Sequence, residues 1–365
     1  MIKLITIIGA RPQFIKAGAL SREISKQSIF NEIIIHTGQH YDSNMSDVFF
    51  DQLNIPKPKY SLNINKLSSD KMIANMISEI SKIIDFEKPD YVLVYGDTNS
   101  TLAGAISSSY NKNCVKLIHV ESGLRSFNFN MPEEKNRILT DNLSDILFCP
   151  TSKAIINLEK ENFEEKKKLY FNSGDIMYDN LNYFKDNNLI NSNILKILNL
   201  HNDKYIISTI HRFENTSSYE RMKNIIDFLN KVNSHTKVIF PIHPNTKNLL
   251  KKYNLKTEFK TIDPLNYFDM LSLINYSDMV ISDSGGIQKE AFFFKKKCAI
   301  IREETEWEEI LELHAGVINP IINCDKMLET YQLLLSMEAD FNQNPYGSGV
   351  SAKFILDKIE TNFNA

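Results

Sequence analysis

Short apolar runs alternate with longer segments whose apolar positions recur every three to four residues, from one end of the chain to the other. In the first half the runs predict strands over residues 3–8, 32–36, 91–95, 115–120 and 146–149. Between them the helical period predicts helices over 12–26, 69–85, 99–110, 133–141 and 152–162. The run YVLVY (91–95) is apolar throughout, the pattern of a parallel strand covered by helices on both faces. A polar, asparagine-rich stretch over 185–203 breaks the rhythm. Strands are then predicted over 204–210, 236–241, 278–282 and 298–301, with helices over 219–232, 267–275 and 285–294. Such alternation means α/β sheets with right-handed crossovers. The expected architecture is two similar α/β domains facing a cleft, over 1–185 and 203–349. An amphipathic helix over 350–362 could cross back to the first domain.

Composition narrows the class. The 12 glycines and 11 prolines of the 365 residues make up about 6%, against roughly 12% in average usage. That excludes collagen-like, linker and low-complexity chains, and each glycine is expected to have a backbone reason to exist. Lys plus Arg number 42 and Asp plus Glu 45, a net charge of −3 that disfavours a nucleic-acid partner. No apolar stretch reaches 18 residues, so no membrane insertion is expected. The N-terminal run reads as a first strand rather than a signal peptide. The four cysteines include no C-x-x-C pair and suit buried free thiols in the cytoplasm.

Ligands of open α/β sheets bind beyond the C-terminal strand ends, which makes those loops the place to look for chemistry. Ser284-Gly285-Gly286 precedes an apolar helix, where backbone N–H groups could hold a diphosphate; an ordinary serine cap is the plainer reading. Glu290, further along, could accept ribose hydroxyls. Arg11 and Lys16 supply positive charge after the first strand. Asp97, Glu121 and Glu133 lie at the same sheet edge and suit proton transfer at a sugar carbon. Neither a G-x-x-x-x-G-K-[ST] loop nor a full G-x-G-x-x-G occurs, and no metal-ligand spacing is convincing.

Nine motifs occur in order: GARPQFIKA (9–17), HTGQHYD (36–42), YGDTNSTLAGA (95–105), HVESGLRS (119–126), MPEEKNRILTD (131–141), HRFENT (211–216), PIHPNT (241–246), DSGGIQKEA (283–291) and REETEWEEI (302–310). Together they resemble the non-hydrolysing UDP-N-acetylglucosamine 2-epimerase family over nearly the whole chain. NMSDVFFD (44–51) and DSGGIQKEAFFF (283–294) are especially similar to the subgroup acting on UDP-2,3-diacetamido-2,3-dideoxyglucuronate, a precursor of bacterial surface polysaccharides such as O-antigen. Gln13 stands where the best-known type has Glu, Ser122 where alanine is usual, and the segment between Arg125 and Pro132 is shorter.

The resemblance implies two Rossmann-like domains in a GT-B arrangement with an interdomain cleft, UDP held mainly by the C-terminal one, a homodimer, and no cofactor or metal. It implies that Asp97, Glu121 and Glu133 form the acid/base set. Arg11, Lys16 and His211 would stabilise the diphosphate with help from Arg212, and Ser284, Gly285, Gly286 and Glu290 would bind UDP. Gln39, His40 and His243 correspond to a regulatory second UDP-sugar site in some bacterial members. The rival classes are a GT-B UDP-sugar glycosyltransferase, a hydrolysing epimerase and a non-catalytic nucleotide-sugar sensor. Seven of the twelve glycines (Gly9, Gly38, Gly96, Gly123, Gly174, Gly285 and Gly286) fall at or just past predicted strand ends.

Overall fold

The computed structural model of the chain describes residues 1–39, 50, 53, 55–112, 115–190, 193–200 and 203–364. The chain divides into two compact units, Met1–Tyr183 with Asn344–Ala365, and Phe184–Gln343.

The first unit holds a seven-stranded sheet of β1 (Ile2–Ile8), β2 (Phe30–His36), β3 (Tyr60–Ser61), β4 (Tyr91–Tyr95), β5 (Lys116–Val120), β6 (Ile146–Cys149) and β7 (Leu169–Asn172). Their order is β3-β2-β1-β4-β5-β6-β7, and every pairing is parallel. This is the Rossmann order, in which the chain reverses direction across the sheet between β1 and β4. β4 and β6 are buried along their whole length, as continuous apolar strands between helices must be. One face of the sheet packs Ile5, Ile7, Val92 and Val94 against Met76, Ile80 and Ile84 of the helix Ser69–Glu87.

The helix Ser351–Phe363 belongs to this unit and lies near the helix Arg11–Ile24. Val350 at its start supplies no side-chain cap; Asp179 accepts from Ala352 N at 2.7 Å instead.

The second unit repeats the plan with β8 (Tyr205–Thr209), β9 (Lys237–Pro241), β10 (Lys260–Ile262), β11 (Met279–Ser282), β12 (Lys297–Ile300) and β13 (Gly316–Ile318). The order is β10-β9-β8-β11-β12-β13, again all parallel, so its reversal lies between β8 and β11. Its core joins Met222, Ile225 and Leu229 of the helix Tyr219–Asn233 to Val238, Phe240 and Ile281.

Strands β3, β7, β10 and β13 are absent from the apolar pattern. Each has two to four residues and an exposed or half-buried rim, so none leaves an apolar run. Cys149 and Cys298 are buried free thiols, both pushed up by burial, Cys298 to about 12. Cys324 is free and half-buried, and Cys114 lies outside the described residues.

Candidate active site

In each unit the loops that carry the motifs sit at the C-terminal ends of the four central strands, β2, β1, β4 and β5 in the first and β9, β8, β11 and β12 in the second. The loop after β1 opens the helix Arg11–Ile24 without a side-chain cap from Ala10. Gln13 instead reaches back from the first turn to the loop before it. Its Oε1 accepts from Gly9 N (2.8 Å) and Ala10 N (3.1 Å). Its Nε2 donates to Tyr95 O (3.1 Å) and Thr101 Oγ1 (3.0 Å), tying the β1 loop to the β4 loop. Tyr95 O also accepts from Thr101 Oγ1 at 2.7 Å, so the three groups form one cluster; an ionised glutamate at position 13 could not donate to it.

Lys16, one turn into that helix, forms an ion pair with Glu121 beyond β5, and both side chains are more than nine-tenths buried. Removing two charges from water this far is tolerated because each neutralises the other. Gly96 lies against the pair. It has φ +62, and a Cβ there would fall 2.9 Å from Lys16 Nζ and 3.2 Å from Glu121 Oε1. Glu121 itself adopts φ +68, uncommon for a side chain with a Cβ.

Asp97 follows Gly96 and pairs with Arg137, while its carbonyl accepts from Asn136 Nδ2 at 2.9 Å. Arg137 also donates to Glu134 Oε2 at 2.6 Å. Glu134, fully buried, accepts from Ser126 N, Ser126 Oγ and Phe127 N between 2.9 and 3.1 Å and thereby shapes the loop after β5. Glu133 is exposed in the first turn of the helix Pro132–Leu143. The structure thus brings Lys16 and Glu121 together against Gly96, turns the carboxylate of the next residue, Asp97, to Arg137, and leaves Glu133 facing solvent. Arg11 is half-buried at the start of its helix.

Glu134 and Gln13 escape the reading of the sequence as site residues. A signal is present in the helix Pro132–Leu143, whose buried positions Glu134, Arg137 and Asp141 share one face although all are charged.

In the second unit His211 and Arg212 follow β8, and Asp283 to Gly286 follow β11. Asp283 is fully buried and turns toward the β8 loop. It accepts from His211 N (3.1 Å), Arg212 N (2.9 Å) and Asn215 Nδ2 (2.9 Å), with His211 Nδ1 at 3.2 Å. Burial alone would raise this carboxyl, but the hydrogen bond and charge of His211 hold it below its ordinary value.

Ser284 occupies the cap position of the helix Gly285–Phe293 without a side-chain cap bond, so the serine-cap reading does not describe it. Past Gly286 there is open space for a Cβ or a ligand. Glu290 is buried in the second turn of the same helix. Trp307 is packed away, with Lys289 Nζ 4.0 Å from the centre of its ring.

Gln39, in the first unit, accepts from Ser100 N (3.0 Å) and Ser100 Oγ (2.7 Å). His243, exposed in the second, caps the helix Pro244–Lys252 by accepting from Asn245 N at 3.3 Å. His40 lies outside the described residues. Among the described residues no group of three or more His, Cys, Asp or Glu side chains is placed to hold a metal, and no helix is long and apolar enough to cross a membrane.

Comparison with known proteins identifies the family. The family model described as UDP-N-acetylglucosamine 2-epimerase matches residues 22–360. The UDP-2,3-diacetamido-2,3-dideoxy-D-glucuronate 2-epimerase of Pseudomonas aeruginosa is 44% identical, over 98% of this chain and 99% of its own. A UDP-N-acetylglucosamine 2-epimerase homolog of Methanococcus maripaludis is 45% identical, over 98% and 99%. The crystal structure of Methanocaldococcus jannaschii UDP-GlcNAc 2-epimerase in complex with UDP-GlcNAc and UDP superposes with a TM-score of 0.89 at 38% identity, covering 99% of this chain and 100% of that one. The match favours an epimerase over the glycosyltransferase alternative, and the α/β fold is the two-Rossmann-domain GT-B type. The chain belongs to the UDP-N-acetylglucosamine 2-epimerase family.

Proposed function

We propose that the protein inverts C2 of a UDP-2-acetamido sugar by eliminating and re-adding UDP, with UDP-2,3-diacetamido-2,3-dideoxyglucuronate as its preferred substrate. The buried Lys16–Glu121 pair against Gly96, with Asp97 next in the chain, supports the reading. The C2 hydrogen has no adjacent carbonyl and is not acidic, so removing it requires that a bond break in concert. A base takes the C2 proton, the C1–O bond breaks, and its electron pair leaves on the diphosphate. The product, a 2-acetamidoglucal, then regains UDP while a proton is delivered to the opposite face. Two-faced proton transfer needs an acid/base set; Asp97 and Glu121 supply it from the turn at Gly96, and Glu133, the third carboxylate the family resemblance implies, stands exposed on the helix Pro132–Leu143.

Diphosphate departure needs positive charge and oriented donors, a role for Arg11, Lys16 and His211 with Arg212 assisting. UDP is held by Ser284, Gly285, Gly286 and Glu290. The open space at Gly286 supports this, because a phosphate can approach the backbone there. Gln39, His40 and His243 are assigned to a second, regulatory UDP-sugar site. The reading includes a homodimer working in the cytoplasm, in the biosynthesis of bacterial surface polysaccharide.

Substrate choice rests on the likeness of residues 44–51 and 283–294 to the diacetamido-uronate subgroup, because overall identity does not separate the two: 44% to that enzyme and 45% to a UDP-N-acetylglucosamine 2-epimerase homolog. The test is kcat/KM with both UDP-sugars, followed by separation of gluco and manno forms. Preference for the diacetamido-uronate by at least about tenfold, or about 1.4 kcal/mol, is expected. Equal or reversed preference would overturn the substrate assignment and leave the reaction class standing.

A further inference from the structure

His119 is fully buried in the first unit, and the chemistry above does not use it. Its Nδ1 lies 2.7 Å from Asp141 Oδ1 and its Nε2 2.8 Å from the Gly96 carbonyl oxygen. Asp141 also accepts from Gly123 N (3.1 Å) and Arg125 Nη1 (2.7 Å), and Arg125 is gripped in turn by Glu161 at 2.6 and 2.8 Å. Burial alone would raise the Asp141 carboxyl, but His119 and Arg125 hold it below its ordinary value, so it remains an acceptor. A carbonyl oxygen also only accepts. A hydrogen bond to Gly96 therefore needs the proton on Nε2, and the ring is anchored at its far side by a fixed network.

What the ring holds is the end of β4. The β4–β5 ladder finishes with Gly96 N donating to Val120 O at 3.0 Å. There β5 turns away: Glu121 takes φ +68, and the N–H groups of Glu121 and Ser122 both donate to Phe148 O, at 3.0 and 3.1 Å. The Gly96 carbonyl thus takes its donor from a side chain placed two residues before Glu121. Gly96 touches the Lys16–Glu121 pair on one side and leads into Asp97 on the other.

We propose that His119 is a positioning residue for the C2 proton transfer: by donating from Nε2 to the Gly96 carbonyl it fixes the Gly96–Asp97 turn against the Lys16–Glu121 pair and sets the spacing of the two carboxylates. This rests on the epimerase reading. Two amide substitutions each keep half of the ring's function. Glutamine carries its amide nitrogen near the Nε2 position, so His119→Gln retains the donor to Gly96 and loses the one to Asp141. Asparagine carries it near Nδ1, so His119→Asn does the reverse.

Misplacement by about 1 Å costs on the order of 100-fold in rate. His119→Gln is expected to keep kcat within about tenfold of wild type and His119→Asn to lose roughly 100-fold, with KM moving less than about threefold in either. A role limited to satisfying buried Asp141 gives the opposite order, so an asparagine variant as fast as the glutamine variant overturns the proposal. In the wild type, 15N-histidine NMR is expected to show a proton on His119 Nε2. A bare Nε2 overturns the proposal even where neither variant folds. A wild type that exchanges C2 hydrogen with no UDP-sugar sinks the epimerase reading, and the positioning role with it.

Discussion

A Cβ placed on Gly286 would meet nothing within 4 Å, whereas one on Gly285 would meet Glu306 Oε1 at 2.4 Å. The two adjacent glycines therefore exist for different reasons, one to pack against the protein and one to leave room. Gly286→Ala separates folding from binding for that reason. Its melting temperature is expected to stay unchanged while the Kd for UDP, read by calorimetry, rises about tenfold, or about 1.4 kcal/mol. An unchanged Kd would remove UDP from this loop. Asp283 carries a similar lesson. Next to Ser-Gly-Gly in the sequence it reads as part of the anion loop, but its partners are 68 to 72 residues earlier, at His211, Arg212 and Asn215. It holds the β8 loop, and nothing local in the sequence announces that.

Among the elements, the helix Ser351–Phe363 depends on a residue borrowed from another helix. Asp179 accepts from Ala352 N, and burial raises its carboxyl to about 6 from an ordinary 3.8. A carboxyl raised on folding favours the folded state while protonated. Its contribution is complete below the unfolded value near 3.8 and is lost as pH rises through about 6. Asp179→Asn keeps an acceptor and removes the titration. Urea unfolding of the pair is expected to show the asparagine variant gaining on wild type by on the order of 3 kcal/mol between pH 4 and pH 7. Parallel pH profiles would contradict that sign.

Element type is legible in the sequence where burial is symmetric. The strands covered on both faces leave apolar runs, and every predicted run from 3–8 to 298–301 coincides with a strand of the two sheets. Edge strands such as Tyr60–Ser61 pair on one side only and leave none. The helix Pro132–Leu143 is legible, but its inward face is not: Leu139 is half exposed while Glu134 and Asp141 are fully buried. Apolar periodicity fails where a helix buries a charge network, and that is why Glu133 stands out in the sequence and Glu134 does not.

On the scale of the molecule, both units use the same strand order, and the motifs cluster at the ends of the four central strands in each. Candidate positions at strand ends are readable from glycine placement and motif order. The partners that give them chemistry are long-range: Lys16 with Glu121 lies 105 residues apart and Arg137 with Asp97 lies 40. Such pairs are created by the fold, so spacing alone does not reveal them. The claim that joins both units is C2 inversion through loss and return of UDP, which requires solvent hydrogen to enter C2 whenever the configuration changes. The direct measurement is proton NMR in deuterated water with the wild-type protein and each UDP-sugar, without acceptor or added cofactor. Deuterium appearing at C2 in step with conversion between gluco and manno forms is the expected result; conversion with the C2 proton retained, or no C2 exchange with any UDP-sugar, would contradict it.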